Sequence, residues 1–400
     1  MASLRVGVVS AEYPPAIGGV GDHAARLARE LASAGHTVEV LTSRAPVVPS
    51  DASQPVEVLR VIKRWDWRIL WQIPRIARER DWDLLHIQYQ PAAYRLHGAI
   101  NLLPLGMRVR QTAVVTTFHD LRFPYLFPKA GRLRRGAVAL LAKASDAAIA
   151  VDEADAETLA RWRSSRGPAT TQHVPLGDQL DADPPAGFVA EEWRARLDLA
   201  PDHPVIAHVG LVNRSKGVLD LVEALAQLPE AHLLMIGEKL GASDTTNAAY
   251  LGEVNARVGA LGVAARMHWT GFVEPPELAA WLGIADVVAL PFLDGASLRR
   301  TSLITAWRRG VPVVTTEPGG AAGWRSTAPG STAASFVSPR DPIALAAALR
   351  GVLSSPAQRE VLTHSAREFA QRFSWPAVTR GVEAVYRAAI SARPKRRRST

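Results

Sequence analysis

The chain has 400 residues, of which 48% are hydrophobic, and it contains no cysteine. Disulfides, thiolate nucleophiles and cysteine-bound metals are therefore excluded, and this composition fits a cytosolic location. A formal charge of +9 would suit a nucleic-acid partner, but residues 393–400 carry five positive charges and no acidic residue. We interpret this segment as a solvated tail rather than an adhesive for anionic lipid or RNA, and we exclude nucleic acid as the main partner.

The first half of the chain alternates strand-like runs with helical patterns. No apolar run reaches the roughly 18 residues of a membrane span, and the N-terminus enters a strand directly, so no signal peptide is expected. The alternation is typical of parallel strands joined by right-handed crossovers. Helices are predicted over 65–80 and 132–144. Strands are predicted at 4–10, 37–42, 56–61, 83–87, 112–118, 146–151 and 171–174.

The second half repeats this organisation. A stretch rich in proline and aspartate, 175–185, predicts a linker, and a strand, glycine loop and helix then restart near residue 204. The chain is therefore predicted to be α/β, with two doubly wound Rossmann-like domains facing a central cleft. The further predicted strands are 204–210, 232–237, 266–270, 286–290, 311–315 and 334–337, and the closing helices are 341–353, 356–372 and 376–391.

Two glycine-rich loops precede helices and could hold phosphate. The segment 19–24 (GVGDHA) fits the dinucleotide fingerprint, which keeps a dinucleotide-dependent oxidoreductase open as an alternative. The fit is weak because seven residues separate Ser10 from Gly18, and the next strand ends without the expected acidic residue. The loop 213–217 carries two cations, Arg214 and Lys216, which indicates an anion, although a solvated loop would look the same.

The order and spacing of these motifs resemble the family 4 glycosyltransferases, which have the GT-B fold. The resemblance covers about residues 4 to 390, and its single motifs are modest. The matching segments are 14–23 (PPAIGGVGDH), 35–38 (GHTV), 117–120 (TFHD), 174–177 (VPLG), 210–217 (GLVNRSKG), 236–238 (IGE), 271–273 (GFV), 285–287 (ADV), Pro291, 310–314 (GVPVV) and 373–386.

The resemblance implies a metal-independent, cofactor-free enzyme that moves a hexose, with retention, from a nucleoside-diphosphate sugar to a hydroxyl acceptor. That acceptor would be a glycan, a lipid-linked molecule or a small molecule. It implies catalytic roles for His119, Arg214 and Lys216, the two cations stabilising the leaving diphosphate. It places His23 and Asp120 on the acceptor side. The implied donor-binding residues are Gly18, Gly19, Gly237, Glu238, Val273, Ser297, Arg299, Arg300, Thr301, Ser302 and Thr305.

The family pattern contains two glutamates eight positions apart, and this sequence lacks both of them. Those positions fall on Ser297 and Thr305. We hypothesise that Arg299 or Arg300, just before a helix, partly replaces the missing carboxylates by binding phosphate directly. The departure keeps a non-catalytic GT-B scaffold open, and the donor sugar, its base, the acceptor and the oligomeric state stay undetermined.

The resemblance also implies a domain plan. The acceptor-side domain is expected at 1–180 and the nucleotide-sugar domain at 181–375, with a helix at 376–392 crossing back to the first domain. Aromatic and basic residues at 65–80 and 132–143 would suit peripheral contact with the inner membrane face, although ordinary surface helices look alike. The segment 81–83 (DWD) spells a metal-binding motif of another fold, and we interpret it as a turn or helix end.

Overall fold

A computed structural model of the chain describes residues 3–16, 18–44, 55–107, 112–121, 131–164, 171–178, 180, 182–239, 245–319, 326–328 and 331–392. The basic tail at 393–400 lies outside the described residues. The chain divides into two compact units, one of Met1–Gly177 with Ser374–Thr400 and one of Asp178–Phe373. The boundary between residues 177 and 178 falls within the stretch predicted as a linker.

The first unit is built on a seven-stranded parallel sheet. Its strands are β1 (Arg5–Val9), β2 (Thr37–Ser43), β3 (Val56–Ile62), β4 (Leu84–Tyr89), β5 (Ala113–Phe118), β6 (Ala147–Ala150) and β7 (Thr171–His173). They lie in the order β3-β2-β1-β4-β5-β6-β7, and every neighbouring pair is parallel. The central strands β4, β5 and β6 are buried along their whole length, as expected for a sheet covered on both faces.

Helices lie between these strands in the described part of the unit. They are α1 (Gly19–Ser33), α2 (Ile69–Glu79), α3 (Ala99–Met107), α4 (Gly131–Ala144) and α5 (Glu153–Trp162). Helix α1 buries a stripe of small and branched side chains that includes Ala24, Leu27 and Leu31. Helix α5 begins after Asp152, whose carboxylate accepts hydrogen bonds from two backbone N–H groups of the first turn.

The second unit contains a six-stranded parallel sheet. Its strands are β8 (Val205–Val209), β9 (His232–Ile236), β10 (Met267–Trp269), β11 (Val287–Leu290), β12 (Val313–Thr316) and β15 (Ser335–Val337), and a separate hairpin is formed by β13 (Ser326–Ala328) and β14 (Ser331–Thr332). The sheet order is β10-β9-β8-β11-β12-β15, again with parallel neighbours. The remaining helices are α6 (Ala190–Ala195), α7 (Val218–Ala226), α8 (Thr245–Leu261), α9 (Pro275–Gly283), α10 (Thr301–Arg309), α11 (Pro342–Ser354), α12 (Pro356–Ala370) and α13 (Trp375–Ser391).

Helix α13 ends the chain but belongs to the first unit. Its apolar face joins the core formed by α1 and the sheet of that unit. The residues that contribute are Trp375, Val378, Val382, Val385, Tyr386 and Ala389, all of which are buried. The first unit is therefore completed by a helix that begins about 200 positions after its last strand.

The predicted fold class is confirmed in each unit, which is a doubly wound parallel α/β layer. In both sheets the strand order reverses beside the first strand, between β1 and β4 and between β8 and β11. Ligands of such sheets bind at this switch point, beyond the carboxyl ends of the strands. The predicted helix at 65–80 begins only at Ile69, and the sequence patterns did not predict α3 or the β13–β14 hairpin.

We expect Val385→Ala to destabilise the first unit by about 1–3 kcal/mol, because it removes buried methyl groups from the core that α13 completes. Urea unfolding followed by circular dichroism measures the change. Arg380→Ala, on an exposed position of the same helix, is the matched control and should change stability by less than about 0.5 kcal/mol. Equal effects of the two substitutions would contradict a core role for α13.

Candidate active site

The second unit has a pocket at the switch point of its sheet. Its volume is about 230 Å³. It is bounded by the loop that follows β8 and by the first residues of α10. The lining residues are Leu180, Val209, Gly210, Lys216, Val273, Pro275, Leu278, Thr301, Ser302 and Thr305. Five of these, Lys216, Val273, Thr301, Ser302 and Thr305, are residues to which the sequence assigned a site role.

Lys216 is held at the end of β8 by two glycines. Its Nζ donates a hydrogen bond of 3.3 Å to the carbonyl of Val209, and a β-carbon at Gly210 would occupy the place of that Nζ. Gly210 also has a φ of 118°, which side chains rarely adopt. Gly217 follows with a φ of 66° and lies against the carbonyl of Pro291. Glycine is therefore required at both positions for the lysine to reach the pocket.

The ammonium group of Lys216 is a buried cation. Burial, together with a smaller effect of the positive charge of Arg300, lowers the pKa of Lys216 to about 8. No carboxylate in the described ranges forms an ion pair with it. Neighbouring His208 is neutral, since burial lowers its pKa to about 4, and its Nδ1 donates to the carbonyl of Ala289 over 2.9 Å. A buried cation without a protein counter-ion is the feature expected of an anion site.

The N-terminus of α10 adds to the attraction for an anion. No described side chain caps this nine-residue helix, and the hydroxyl residues Thr301 and Ser302 of its first turn line the pocket. The helix dipole places positive charge at this end.

The two arginines before α10 do not lie where direct phosphate binding in the pocket would require them. Arg300 forms hydrogen bonds of 2.5 and 2.7 Å to the carboxylate of Asp294, and its guanidinium lies 4.5 Å from the ring of Phe292. Its charge is therefore compensated within the loop. Arg299 and Ser297 are partly exposed on the same turn, and the carbonyl of Ser297 accepts a hydrogen bond from the Arg300 backbone. None of the three lines the pocket.

A carboxylate lies behind Thr305 at the other end of the pocket. The Thr305 hydroxyl donates to Asp178 Oδ1 over 3.3 Å, and the backbone N–H of Leu180 donates to the same oxygen over 3.0 Å. Burial raises the pKa of Asp178, and the Leu180 hydrogen bond and the charge of Arg308 oppose that rise. Asp178 was not predicted as a site residue, because it is 127 residues from Thr305 and no local motif marks it.

Arg214 is directed away from the pocket that contains Lys216. Its guanidinium forms a 2.5 Å ion pair with Glu253 of α8 and lies 4.7 Å from the ring of Tyr250. The side chain is 60% exposed. The two cations therefore do not converge in this structure, in contrast to the expectation that both point at one anion. The reason is that Glu253 offers Arg214 a partner that the local sequence does not reveal.

The predicted donor residues after β9 lie close to the same loop. Gly237 has a φ of 125° and packs near the backbone of Gly210, and its N–H donates to Thr270 Oγ1 over 3.2 Å. The Glu238 carboxylate accepts a hydrogen bond of 3.3 Å from the backbone of Phe272. Pro275 and Leu278 of α9 complete the apolar wall, and no sequence signal marked them.

In the first unit the predicted residues gather at the carboxyl ends of β4 and β5. His119 directly follows β5, and its ring meets that of His23 edge-on at 5.2 Å. His23 is buried in α1 and contacts Trp375 of α13 at 5.5 Å. Burial lowers the pKa of His23 to about 4, so this ring is neutral. Asp120 follows His119 and is partly exposed.

The glycines at the start of α1 have acidic neighbours. Glu12 lies directly beside Gly18, whereas the space around Gly19 is open. Burial raises the pKa of Glu12, and the nearby charge of Asp22 raises it further. A diphosphate at Gly18 would therefore meet an opposing carboxylate. The segment 19–24 lies inside α1 rather than in a turn before it, which further weakens its match to the dinucleotide fingerprint.

Two further residues of the sequence motifs, Asp83 and His36, have structural contacts. Asp83 accepts a 2.9 Å hydrogen bond from the backbone of Arg5, which ties the turn before β4 to β1. His36 accepts from Leu4 N and contacts Glu383 at 3.0 Å. Both residues therefore have contacts that act within the fold. The described residues contain no cluster of three or more His, Cys, Asp or Glu side chains placed to hold a metal.

Comparison with known proteins identifies the family. Residues 17–173 match the model for Glycosyltransferase Family 4, and residues 203–355 match the model for Glycosyl transferases group 1. The chain belongs to the family 4 glycosyltransferases. Both halves of the predicted resemblance are thereby confirmed, and the GT-B assignment rests on the two sheets together with the solved structures described next.

The relatives of this family 4 chain include a named glycosyltransferase and a glycogen synthase. A D-inositol 3-phosphate glycosyltransferase of Xylanimonas cellulosilytica is 33% identical over 63% of this chain. The alignment covers 59% of that relative, so the chain spans less than two thirds of its length. A glycogen synthase of Mycobacterium tuberculosis is 27% identical over 96% of this chain and 95% of its own.

Solved structures support the fold. Sucrose-phosphate synthase from Thermosynechococcus elongatus superposes with a TM-score of 0.73 at 24% identity, covering 98% of this chain and 100% of its own. Anabaena HepE, solved with UDP and glucose, has a TM-score of 0.70 at 18% identity and covers 95% of this chain and 98% of its own. At these identities the likeness concerns the fold.

We expect Lys216→Met to be more stable than the wild type by roughly 3 kcal/mol near pH 7, because it removes a buried charge, and burial lowers the pKa of Lys216 to about 8. The unfolded chain binds more protons than the folded chain between pH 8 and the ordinary lysine pKa. Wild-type stability should therefore rise with pH across that window, whereas the variant should lack this rise. Urea unfolding from pH 7 to 10.5 measures both. A less stable Lys216→Met protein would contradict an unpaired buried cation.

Proposed function

We propose that this chain is a retaining glycosyltransferase that transfers a hexose from a nucleoside-diphosphate sugar to a hydroxyl acceptor. The second unit would bind the donor, and the first would carry the acceptor-side residues His23 and Asp120 together with His119. The observation that carries the proposal is the buried ammonium group of Lys216, which has no ion-pair partner among the described residues, in the pocket between β8 and α10.

The chemistry of the transfer explains why such a cation is needed. As the bond from the sugar to the diphosphate breaks, negative charge grows on the departing phosphate oxygens. A preorganised cation and a helix N-terminus stabilise that charge without reorganisation. We assign this role to Lys216 and to the first turn of α10, with no metal ion or other cofactor taking part. Arg214 would join them only after leaving its ion pair with Glu253.

The far end of the pocket suits a hydroxyl group of the donor. Because the Thr305 hydroxyl donates its hydrogen bond to Asp178, its oxygen presents lone pairs that can accept a hydrogen bond. A ribose or sugar hydroxyl could donate to it. The pair would thus supply part of the anchoring that the family obtains from a glutamate, although the acid here comes from another segment of the chain.

The nature of the nucleotide is proposed by analogy with structural neighbours. Anabaena HepE has been solved with UDP, with UDP and glucose, and with UDP-glucose. We therefore choose UDP as the first probe and UDP-glucose as the first donor. The relatives named as inositol-phosphate glycosyltransferases and glycogen synthases suggest acceptors as different as a small polyol and a glycan.

We expect Lys216→Met to weaken UDP binding by roughly 10- to 100-fold, because a charge-assisted contact to phosphate is lost. The affinity of the wild type for UDP should also fall as the pH rises above 8, since Lys216 of the unliganded protein then loses its proton. Isothermal titration calorimetry from pH 7 to 9.5 measures both effects. Exposed Lys63→Met is the matched control and should bind UDP like the wild type. Unchanged affinity in Lys216→Met would remove the basis of the proposal.

A second candidate function is a non-catalytic scaffold that binds a nucleotide. It is favoured by Ser297 and Thr305 at the glutamate positions and by the outward placement of Arg214. The two functions separate in one assay. Slow hydrolysis of UDP-, GDP-, ADP- or dTDP-sugars that is lost in Lys216→Met supports the enzyme, whereas tight nucleotide binding without turnover on any donor and a broad acceptor panel supports the scaffold.

We also propose peripheral contact of the first unit with an anionic membrane surface at the cytoplasmic face. Trp67 and Trp71 are 52% and 64% exposed at α2, beside the exposed Arg68 and Arg75. Tryptophan and arginine together suit the boundary between headgroups and acyl chains. Within the described ranges, no helix has both the length and the apolar character to span a bilayer. Side chains 131–134 of the second basic stretch are outside the described ones.

We expect a Trp67→Glu, Trp71→Glu protein to lose flotation with vesicles of phosphatidylcholine and phosphatidylglycerol at low salt. The substitutions remove the apolar anchors and add repulsion to the lipid charge. Ile343→Glu, which changes a 70% exposed residue of the second unit, is the control and should float like the wild type. A wild-type protein that fails to float at low salt would refute the membrane proposal.

A further inference from the structure

A chain of buried polar side chains leads from His119 into the core of the first unit. His119 Nε2 lies 2.9 Å from Gln88 Oε1, and Gln88 Nε2 lies 3.2 Å from His86 Nε2. His86 Nε2 also lies 2.7 Å from Thr117 Oγ1, and His86 Nδ1 lies 2.7 Å from the hydroxyl of Tyr386 in α13. Gln88, His86, Thr117 and Tyr386 are all buried.

The amide of Gln88 gives this chain a direction. An amide oxygen only accepts hydrogen bonds, so His119 Nε2 must carry a proton and donate to it. An amide nitrogen only donates, so His86 Nε2 must accept, and the Thr117 hydroxyl can donate to the same atom. His86 then carries its proton on Nδ1 and donates to Tyr386. All four contacts are satisfied by one arrangement of protons.

Both histidines are neutral, as this arrangement of protons requires. Burial lowers the pKa of His86 to about 3 and that of His119 well below its ordinary value. The titratable groups that lower the pKa of His119 further are His23 and His86. A neutral imidazole protonated on Nε2 has its lone pair on Nδ1. His119 therefore presents an acceptor at Nδ1, and the fold holds it in that state.

We propose that Gln88 is a positioning residue that locks His119 in the Nε2–H tautomer, so that its Nδ1 accepts a hydrogen bond from a substrate hydroxyl. The assignment of that hydroxyl to a sugar rests on the proposed function. Tyr386 ends the chain of contacts, so α13 supports the histidine as well as the core. The site thereby selects hydroxyl donors over groups that can only accept at this position.

The tautomer can be observed directly. In the full-length protein with ¹⁵N-labelled histidine, long-range ¹H–¹⁵N correlation spectra at pH 7 should show His119 as the Nε2–H form and His86 as the Nδ1–H form, with His119→Gln and His86→Gln used for assignment. The reverse pattern, in which the Gln88 amide is turned over and both histidines change tautomer, would overturn the proposal.

Variants of Gln88 test its role. Gln88→Leu should leave His119 as a mixture of tautomers, and Gln88→Glu should raise the pKa of His119 because a carboxylate favours the imidazolium. Turnover of the active donor should fall roughly 10- to 100-fold in kcat for Gln88→Leu, with UDP affinity unchanged because Lys216 is intact. A His119 tautomer that is unaltered in Gln88→Leu would refute the positioning role.

The matched control is Asn101→Leu, which removes another buried amide of the same unit. Asn101 donates to the hydroxyl of Tyr89 and to the carbonyl of Ala137, and none of the hydrogen bonds seen among the described residues joins it to His119. It should lower stability without changing the His119 spectrum. An altered His119 tautomer in this control would count against a specific effect of Gln88. Absence of donor turnover in the wild type would count against the proposed function alone, since the spectrum is judged independently of activity.

Discussion

The second unit depends on the close approach of Lys216 to the backbone at the end of β8. Gly210 provides the room, because any side chain there would displace the ammonium group, and Gly217 lets the loop press against the carbonyl of Pro291. The parallel sheet reverses its strand order at this point, so the chain leaves a crevice that no crossover helix fills. A buried cation in that crevice lowers stability and prepares the site for an anion.

The charges around the crevice are distributed unequally. Arg214 forms an ion pair with Glu253 of α8, and Arg300 forms one with Asp294 of the loop before α10. Their contribution to the local potential is therefore reduced, and Lys216 is left as the cation of the pocket. Ion pairs of this exposure contribute little to stability, so an arriving diphosphate could exchange them at small cost.

The histidines of the candidate site in the first unit are neutral side chains rather than charged ones. Burial keeps His23, His86 and His119 neutral, and Gln88 orders the protons between His119 and the C-terminal helix. This arrangement suits the recognition of hydroxyl groups, because neutral donors and acceptors discriminate by direction. The Glu12 carboxylate beside Gly18 also disfavours an anion at the start of α1, which leaves neutral hydroxyl groups as the better ligands there. The two units thus differ in the chemistry they offer: the second presents a buried cation, and the first presents neutral imidazoles whose protons are ordered.

The sequence by itself determined the strands, most helices and the class of each unit, because these follow from local periodicity and from glycines at strand ends. It also located Lys216, Val273, Thr301, Ser302 and Thr305. Only the tertiary structure decided the rest. Asp178 meets Thr305, and Tyr386 meets His86, across more than a hundred residues. Glu253 draws Arg214 away from the pocket through a contact that spacing cannot foresee. Side-chain partners depend on how distant segments pack, and local patterns carry no record of that.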